Sequence, residues 1–285
     1  MSQVDRFATP NVCNWCQGCG NFGIWTAFKK AAEKEGWTDG NTVVVAGIGC
    51  HGHIINFMKI TAFEGLHGRA LPVASGVKFA NNNLNVIVFT GDGDGLSEGG
   101  NHFVHTARRN QDLTVILHDN ADYGLTTGQT SPRSPKGYIS KSTPEGKIDE
   151  PINPLLLSLA SGATFVARTY SGDIDHTAEI ITRATEHKGF ALVDVLQPCV
   201  TFNKDYTHQF YQKNIYKLPE DYDKSNLVGA MEKSMEWGSG KIPVGIFYES
   251  DAPSNEEQTE VIKEKTLISR AAPKRDLKKL FEKYK

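Results

Sequence analysis

Long hydrophobic runs are absent from this sequence of 285 residues. No apolar segment approaches the roughly 20 residues that a membrane-spanning helix needs, so we expect no association with a membrane. The formal net charge is only −2, which gives no general attraction to nucleic acid. The first ten residues lack the basic start and the apolar core of a targeting peptide, which favours a cytoplasmic location. Small molecules and other proteins are therefore the expected ligands.

A glycine-rich turn follows a predicted strand in the first third of the chain. Residues 85–90 form an apolar, β-branched run that is typical of a buried strand, and the sequence GDGDG at 91–95 ends it. Residues from about 96 to 109 have a helical pattern, and 113–118 form a second apolar run. This order predicts a right-handed β-α-β unit within a doubly wound α/β fold that has a mostly parallel sheet.

Polar residues follow both strands of this unit, with Asp92 after the first and Asn120 after the second. The carboxyl ends of parallel strands share one edge of the sheet, where open α/β sheets bind ligands. The glycines let backbone N–H groups approach a phosphate, and the helix N-terminus favours its negative charge. Magnesium is commonly held by one or two protein oxygens together with phosphates and water. The pattern therefore predicts a magnesium diphosphate site, although GDG alone also fits an ordinary glycine-rich turn.

The cysteines indicate a second site. Five occur without a secretory signal, which favours a metal centre over disulfides. Four of them are candidate ligands: Cys16, Cys19, Cys50 and Cys199. Cys50 follows a predicted strand at 42–46 and Cys199 another at 190–195, so both are expected at the sheet edge that carries Asp92. An iron-sulfur cluster, a structural zinc ion and buried unliganded thiols are the competing interpretations, and Cys13 is assigned to the last.

Several motifs occur in a fixed order along the chain. They are WCQGCGNFG at 15–23, GIGC at 47–50, HGRALP at 67–72, GDGDG at 91–95 and YGLTTGQT at 123–130. Over roughly residues 10 to 215, this order resembles the β subunit of a 2-oxoacid:ferredoxin oxidoreductase, and GDG followed by Asn120 resembles the binding motif of thiamine diphosphate enzymes. The resemblance implies a thiamine diphosphate-binding fold.

The same resemblance implies three resident cofactors. One 4Fe-4S cluster would be bound by the four candidate cysteines, which favours iron-sulfur over zinc. Mg²⁺ would be bound by the side chains of Asp92 and Asn120 and by the backbone carbonyl of Asp122. Contacts to thiamine diphosphate are implied at the following positions: Ile48, Gly49, Cys50, His51, His67, Gly91, Asp92, Gly93, Asp94, Gly124 and Leu125.

The implied reaction is the oxidative decarboxylation of a 2-oxoacid with coenzyme A, which yields an acyl-CoA, CO₂ and reduced ferredoxin. The family activates its thiamine with a glutamate of a partner α subunit, so we expect an αβ or (αβ)₂ enzyme, and no residue of this chain is assigned that catalytic role. Local likeness at 67–69 and 130–134 favours 2-oxoglutarate, with pyruvate as the runner-up. Two rival functions remain open at this point: a non-oxidative thiamine diphosphate decarboxylase with structural zinc, and a cluster-binding electron-transfer module.

This sequence departs from its relatives at three positions. Gln17 replaces a proline that family members commonly carry between the first two cysteines, which should alter the stiffness of the loop more than ligation. His53 and Thr127 stand where some or many relatives have lysine. Because neither residue carries a fixed positive charge at neutral pH, the contacts to the substrate carboxylate are left open.

The remaining chain is expected to complete one functional unit. Residues 120–138 are rich in Gly, Thr, Ser and Pro and predict a long functional loop, followed by a strand at 164–167 and an amphipathic helix at 173–187. We divide the chain into an α/β domain at 1–205, which binds the thiamine diphosphate and the cluster, and a C-terminal extension at 206–285 that serves as cover and interface. A basic helical stretch at 274–285 is either a solvated face or a docking surface.

Overall fold

The computed structural model describes residues 6–238, 241–271 and 277–284 of the chain. Residues 1–5 and 274–276, on which parts of two predictions fall, lie outside this described part. Within it, no helix has the length and apolar character that are needed to cross a lipid bilayer.

An eight-stranded sheet forms the centre of the fold. Its strands are β1 (Thr42–Ala46), β2 (Thr61–Glu64), β3 (Asn85–Gly91), β4 (Leu113–Asp119), β5 (Phe165–Tyr170), β6 (Phe190–Leu196), β7 (Ile215–Lys217) and β8 (Ile242–Glu249). They are ordered β2-β1-β3-β4-β6-β5-β8-β7 across the sheet. Neighbouring strands are parallel except where β8 runs antiparallel to β5. The predicted α/β fold with a mostly parallel sheet is thus confirmed.

Helices connect the strands and cover both faces. The α-helices are α1 (Asn21–Lys34), α2 (Ala70–Ala80), α3 (Gly100–Arg108), α4 (Pro154–Ser161), α5 (Ile174–Glu186), α6 (His208–Asn214), α7 (Leu227–Ser234), α8 (Asn255–Gln258), α9 (Glu260–Lys263) and α10 (Leu277–Glu282). Short 3₁₀ helices lie at Gly52–Phe57 and Leu267–Ser269, and a π-helical turn lies at Asp94–Glu98.

Two hydrophobic cores lie on opposite faces of the sheet. Because side chains alternate along a strand, Val44 and Ala46 of β1 join the core beneath α1 and α5. Val43 and Val45 join the core beneath α2, α3, α4 and α7. Strands buried on both faces carry near-continuous apolar sequences, which explains the runs from which they were predicted.

The strand register aligns the candidate site segments. Ala46 pairs with Phe89, Gly91 with His118, and Asp119 with Leu196. The segments that follow β1, β3, β4 and β6 therefore leave the sheet side by side at its carboxyl edge.

Most predicted elements are confirmed. The strands predicted at 42–46, 85–90, 113–118 and 190–195 agree with the structure to within one residue, and the helix predicted at 173–187 is α5. The strand predicted at 164–167 is confirmed as β5, which extends further. Residues 120–138, all of them described, contain neither helix nor strand beyond an isolated bridge between Tyr123 and Gln129.

The helix predicted from about residue 96 begins later than expected. Asp94–Glu98 forms a π-helical turn, in which the N–H of Gly99 donates to the carbonyl of Asp94 at 2.9 Å, and α3 starts only at Gly100. Such turns are frequent at functional sites, and this one directly follows the GDG segment.

The C-terminal extension is more than the cover that the sequence suggested. Its strands β7 and β8 complete the same sheet, so no second sheet begins at 206. The pattern was missed because Pro243 and Gly245 interrupt β8, and both residue types weaken a strand signal. Of the basic stretch at 274–285, the structure shows a helix at Leu277–Glu282.

Candidate functional site

A small cavity of about 70 Å³ lies at the carboxyl edge of the sheet. Its lining includes every residue that was predicted to contact thiamine diphosphate or magnesium: Ile48, Gly49, Cys50, His51, His67, Gly91, Asp92, Gly93, Asp94, Asn120, Asp122, Gly124 and Leu125. Four loops, which follow β1, β2, β3 and β4, contribute to it. We call it the diphosphate cavity.

Asp94 connects the segments that follow β1, β2 and β3 by hydrogen bonds. Its Oδ1 accepts hydrogen bonds from the backbone N–H groups of Gly68 at 2.8 Å and Ile48 at 3.2 Å, and lies 3.1 Å from His67 Nδ1. Its Oδ2 accepts a hydrogen bond from Thr90 Oγ1 at 2.6 Å. The predicted contact residue therefore uses both carboxylate oxygens within the protein, where they fix the shape of the cavity.

His51 packs against this carboxylate. Its Nε2 accepts a hydrogen bond from the N–H of Gly91 at 3.1 Å and lies 3.6 Å from Asp94 Oδ2. A Cβ at either Gly49 or Gly91 would lie 2.8 Å from the imidazole, so both positions need glycine. Burial alone would raise the pKa of Asp94, but the hydrogen bonds from Thr90 Oγ1 and the Gly68 N–H help to hold that pKa below its ordinary value. Asp94 is thus an anion at neutral pH.

Asp92 is the most buried acidic group of the cavity, with 1% of its surface exposed. Its Oδ2 accepts a short hydrogen bond from Ser131 Oγ, and Ser131 Oγ accepts one from the N–H of Arg133 at 3.1 Å. Burial and the neighbouring Asp119 carboxylate raise the pKa of Asp92 well above its ordinary value. A cation beside Asp92 would offset both effects.

Asn120 and Asp122 face the same cavity from the end of β4. Asn120 Oδ1 accepts a hydrogen bond from the N–H of Asp122 at 3.0 Å, and its Nδ2 donates to Gln197 Oε1 at 3.1 Å. Burial raises the pKa of Asp122 to about 6, although contacts of its carboxylate with the Cys199 thiol and the Tyr123 N–H lower it. A nearby cation would favour the charged form of this carboxylate.

A second cavity of about 230 Å³ adjoins the first. All four candidate cysteines line it: Cys16, Cys19, Cys50 and Cys199. Cys50, Asn120, Gly124 and Leu125 line both cavities. Gly124 lies beside two of the thiols, since a Cβ at this position would be 3.4 Å from Cys199 Sγ and 3.7 Å from Cys50 Sγ. We call the second one the cysteine cavity.

The thiols of this cavity act on one another. Burial, together with a smaller effect of neighbouring cysteines, raises the pKa of Cys19 to about 12 and that of Cys50 to about 11. Burial also raises the pKa of Cys199. Thiolates are the forms that bind metals, so this donor set needs a metal cation to stabilise its charge.

Within the described residues, no group of three or more His, Cys, Asp or Glu side chains lies close enough together to hold a metal ion as the side chains stand.

Three other residues that were singled out in the sequence, His53, Thr127 and Cys13, do not line the diphosphate cavity. His53 and Thr127 line the cysteine cavity rather than the diphosphate cavity, and Thr127 has a positive φ of 78°. Cys13 packs against the core beneath α1 and does not line either cavity.

Sequence reasoning missed two hydrogen-bonding residues. Gln197 donates to Cys19 Sγ at 3.4 Å, and Ser131 donates to Asp92. Their partners lie far away along the chain, so no local motif marks them. The only sequence signal is that Gln197 directly follows a predicted strand, two residues before a candidate cysteine.

Comparisons with known proteins agree with this arrangement. The thiamine pyrophosphate enzyme family, in its C-terminal TPP-binding domain, matches residues 47–195. The C-terminal family of pyruvate ferredoxin oxidoreductase β subunits matches residues 199–264. The two matches together cover the whole lining of the diphosphate cavity, Cys50 and Cys199 of the cysteine cavity, and the strands β7 and β8.

Individual relatives give the same result. The chain is 48% identical over 258 residues to a 2-oxoacid:ferredoxin oxidoreductase subunit beta of Saccharolobus solfataricus, covering 86% of this chain and 84% of that one. It is 36% identical over 262 residues to a 2-oxoglutarate synthase subunit KorB of Methanothermobacter marburgensis, covering 90% and 88%. A solved 2-oxoglutarate:ferredoxin oxidoreductase of Magnetococcus marinus, with 2-oxoglutarate, coenzyme A and succinyl-CoA bound, matches with a TM-score of 0.90. That match has 38% identity and covers 100% of this chain and 97% of the other.

Proposed function

The chain belongs to the family of 2-oxoacid:ferredoxin oxidoreductase β subunits, and from that premise we propose that it holds the thiamine diphosphate and the electron-accepting cluster of such an enzyme. With coenzyme A as cosubstrate, the assembled enzyme would convert a 2-oxoacid to an acyl-CoA and CO₂ and reduce ferredoxin. The observation that carries this proposal is the contact between the diphosphate cavity and the cysteine cavity across Gly124.

The diphosphate cavity supports a role in cofactor binding. Asp92, Asn120 and the backbone carbonyl of Asp122 would hold Mg²⁺, and the N–H groups of the GDG segment would face the phosphates. The buried carboxylates of Asp92 and Asp122 fit this role, because both are more stable as anions once a cation is present.

The cysteine cavity supports a role in electron transfer. Its four thiols would bind one 4Fe-4S cluster, and the mutual repulsion of their charges would be offset by the irons. When bound, thiamine diphosphate supplies a carbanion for attack on the 2-oxo carbon, and the cluster supplies an acceptor for single electrons. The protein's own contribution is to hold both groups close together and to exclude water.

A partner subunit is part of the proposal. A cavity of about 70 Å³ is far below the roughly 300–1,000 Å³ of complete ligand pockets, which supports a site that a second chain completes. No glutamate is among the described residues that line it, in keeping with a thiamine-activating glutamate on an α subunit. We propose an αβ or (αβ)₂ enzyme that passes its electrons to ferredoxin.

For the substrate we favour 2-oxoglutarate, with pyruvate as the second candidate. Support comes from the names of relatives, several of which are 2-oxoglutarate synthase subunits, and from the solved neighbour with bound 2-oxoglutarate. His53 and Thr127 stand where some or many relatives have a lysine that is a candidate for binding the substrate carboxylate. Both residues line the cysteine cavity.

The test is cofactor analysis of the anaerobically purified complex, followed by turnover. We expect about four iron and four sulfide, one thiamine diphosphate and no zinc per β chain. CoA-dependent ferredoxin reduction should be faster with 2-oxoglutarate than with pyruvate, and negligible for the isolated β subunit. Zinc without sulfide would instead support a non-oxidative decarboxylase, and a cluster without thiamine would support an electron-transfer module.

A further inference from the structure

One buried side chain contacts both candidate cofactor sites. Gln197 follows β6 and is 1% exposed, and its backbone N–H donates to the carbonyl of Asp119 at 2.8 Å. Its side chain therefore lies between the ends of β4 and β6. From there Oε1 accepts a hydrogen bond from Asn120 Nδ2 at 3.1 Å, and Nε2 donates to Cys19 Sγ at 3.4 Å.

The orientation of this amide is determined by a third hydrogen bond. Nε2 also donates to the carbonyl of Pro198 at 3.0 Å, and a carbonyl can only accept. The Oε1 end must then face Asn120, which places the Nδ2 of Asn120 toward Gln197. The Oδ1 of Asn120 is consequently directed away from Gln197, where it also accepts a hydrogen bond from the N–H of Asp122 at 3.0 Å, and this is the oxygen that could bind a metal ion.

On the cysteine side, the same amide acts on a sulfur. Hydrogen bonds to ligand sulfurs are among the factors that set the reduction potential of an iron-sulfur cluster, because they stabilise the additional negative charge of the reduced state. The N–H group of Gln197 is in place to do this at Cys19. A carboxamide meets both demands, since it accepts at its oxygen and donates at its nitrogen.

We propose that Gln197 is a positioning residue that serves both cofactors: it orients Asn120 toward Mg²⁺ and raises the reduction potential of the cluster through Cys19. The inference rests on the proposed function, because it assumes that both groups bind where their candidate ligands lie. It goes further by assigning one residue to the coupling of the two sites.

Two substitutions separate the two roles. Gln197→Met keeps the length of the side chain but removes every hydrogen bond of the amide. Gln197→Glu keeps an acceptor for Asn120 and removes the N–H donor at Cys19 Sγ. The cluster potential should fall in both variants. The Mg²⁺ concentration for half-maximal thiamine diphosphate binding should rise about 10- to 100-fold in Gln197→Met and much less in Gln197→Glu.

The chain offers a matched control. Gln111 is 3% exposed and accepts a hydrogen bond from Ser75 Oγ at 2.6 Å, but it precedes β4 and lies at the opposite edge of the sheet. Gln111→Met therefore removes a buried glutamine amide far from both cavities. It should change neither the potential nor the Mg²⁺ dependence.

The experiment uses the anaerobically assembled α–β complex. Cluster potentials are measured by redox titration with electron paramagnetic resonance, and thiamine diphosphate binding is measured at increasing Mg²⁺. The proposal is supported if Gln197→Met changes both quantities and Gln197→Glu mainly the potential. If Gln197→Met loses its cluster, the test rests on the cluster potential of Gln197→Glu. An unchanged potential in Gln197→Glu overturns the proposal.

The failure of this inference can be told from the failure of the proposed function. If the parent complex contains no cluster or no thiamine diphosphate, the proposed function is wrong. If the parent contains both and the Gln197 variants behave like Gln111→Met, only the coupling role is wrong.

Discussion

The two cavities at the carboxyl edge of the sheet are built in opposite ways. In the diphosphate cavity two carboxylates already accept hydrogen bonds from the protein, Asp94 from Thr90 and Gly68, and Asp92 from Ser131. In the cysteine cavity the donors are thiols whose pKa values are raised by desolvation and by neighbouring cysteines, as those of Cys19 and Cys50 are. Fixed hydrogen bonds shape the first cavity, while the second needs a metal to keep its ligands charged.

The two cavities should respond differently to removal of their cofactors. The diphosphate cavity should keep its shape when thiamine and Mg²⁺ are removed, because its hydrogen bonds lie within the protein. The cysteines of the second cavity should become protonated when the metal is removed, because the pKa of Cys19 is about 12 and that of Cys50 about 11. Mutations on the two sides should therefore have separable effects.

The largest effect is expected from loss of a cysteine that lines only the cysteine cavity. Cys16→Ala should abolish the cluster and with it ferredoxin reduction, while thiamine diphosphate binding is retained. Iron, sulfide and thiamine contents of the purified complex measure this. The matched control is Cys13→Ala, three positions earlier and outside both cavities, which should keep a full cluster. Equal cluster loss in both variants would contradict the assignment of ligands.

The next largest effect is expected on the diphosphate side alone. A Cβ at Gly47 would lie 1.8 Å from Asp94 Oδ2, so Gly47→Ala must displace the carboxylate that holds the loops. Thiamine diphosphate binding should weaken about 10- to 100-fold, the loss expected when a residue that supports the ligands of a site is displaced. Calorimetric titration with Mg²⁺ present measures it, and the cluster content should not change.

Gly76→Ala is the control for this substitution. Nothing lies within 4 Å of a Cβ at Gly76, which is part of α2, so alanine there should leave cofactor binding unchanged. It should stabilise the protein by about 0.5–1 kcal/mol, because alanine is the better helix former. Normal thiamine diphosphate binding by Gly47→Ala would show that Asp94 does not hold the loops.

A smaller effect is expected from Asp94→Asn, and it should depend on pH. The folded state lowers the pKa of Asp94 from 3.8 to about 2, and a depressed carboxyl pKa adds stability that is fully present above pH 3.8. The contribution is about 2 kcal/mol and disappears as the pH falls toward 2. The unfolding midpoints of parent and variant should thus differ at pH 7 and converge below pH 4. A pH-independent difference would mean that Asp94 acts by packing and not as an anion.

The smallest effect is expected from Ser131→Ala. It removes the hydroxyl that orients Asp92, so the Mg²⁺ needed for thiamine diphosphate binding should rise about 10-fold while the cluster stays intact. Ser158→Ala provides the comparison, since Ser158 is equally buried but donates only to the Pro154 carbonyl of its own helix. Identical Mg²⁺ titrations for the two variants would remove Ser131 from the metal site.

Local sequence predicted the strands that bear the site better than it predicted the contacts within it. The apolar runs of β1, β3, β4 and β6 are readable because these strands are buried on both faces. The candidate ligands follow these strands, so their convergence at one edge could be anticipated as well. By contrast, β8 was missed because Pro243 and Gly245 break its pattern.

The supporting residues could not be predicted, for a different physical reason. Gln197 contacts Cys19 across 178 positions, and Ser131 contacts Asp92 across 39. Hydrogen bonds of this range depend on which strand ends become neighbours in the folded sheet. Asp94 was predicted as a residue of the site, but only the folded structure shows that its carboxylate accepts hydrogen bonds from two of the loops.

The most direct test of the account is whether substrate electrons reach the cysteine cavity. The anaerobic α–β complex, without ferredoxin, is mixed with 2-oxoglutarate and coenzyme A, frozen, and measured by electron paramagnetic resonance. The account predicts a reduced-cluster signal that requires thiamine diphosphate and is absent from Cys16→Ala. Decarboxylation with a cluster that remains oxidised would contradict it.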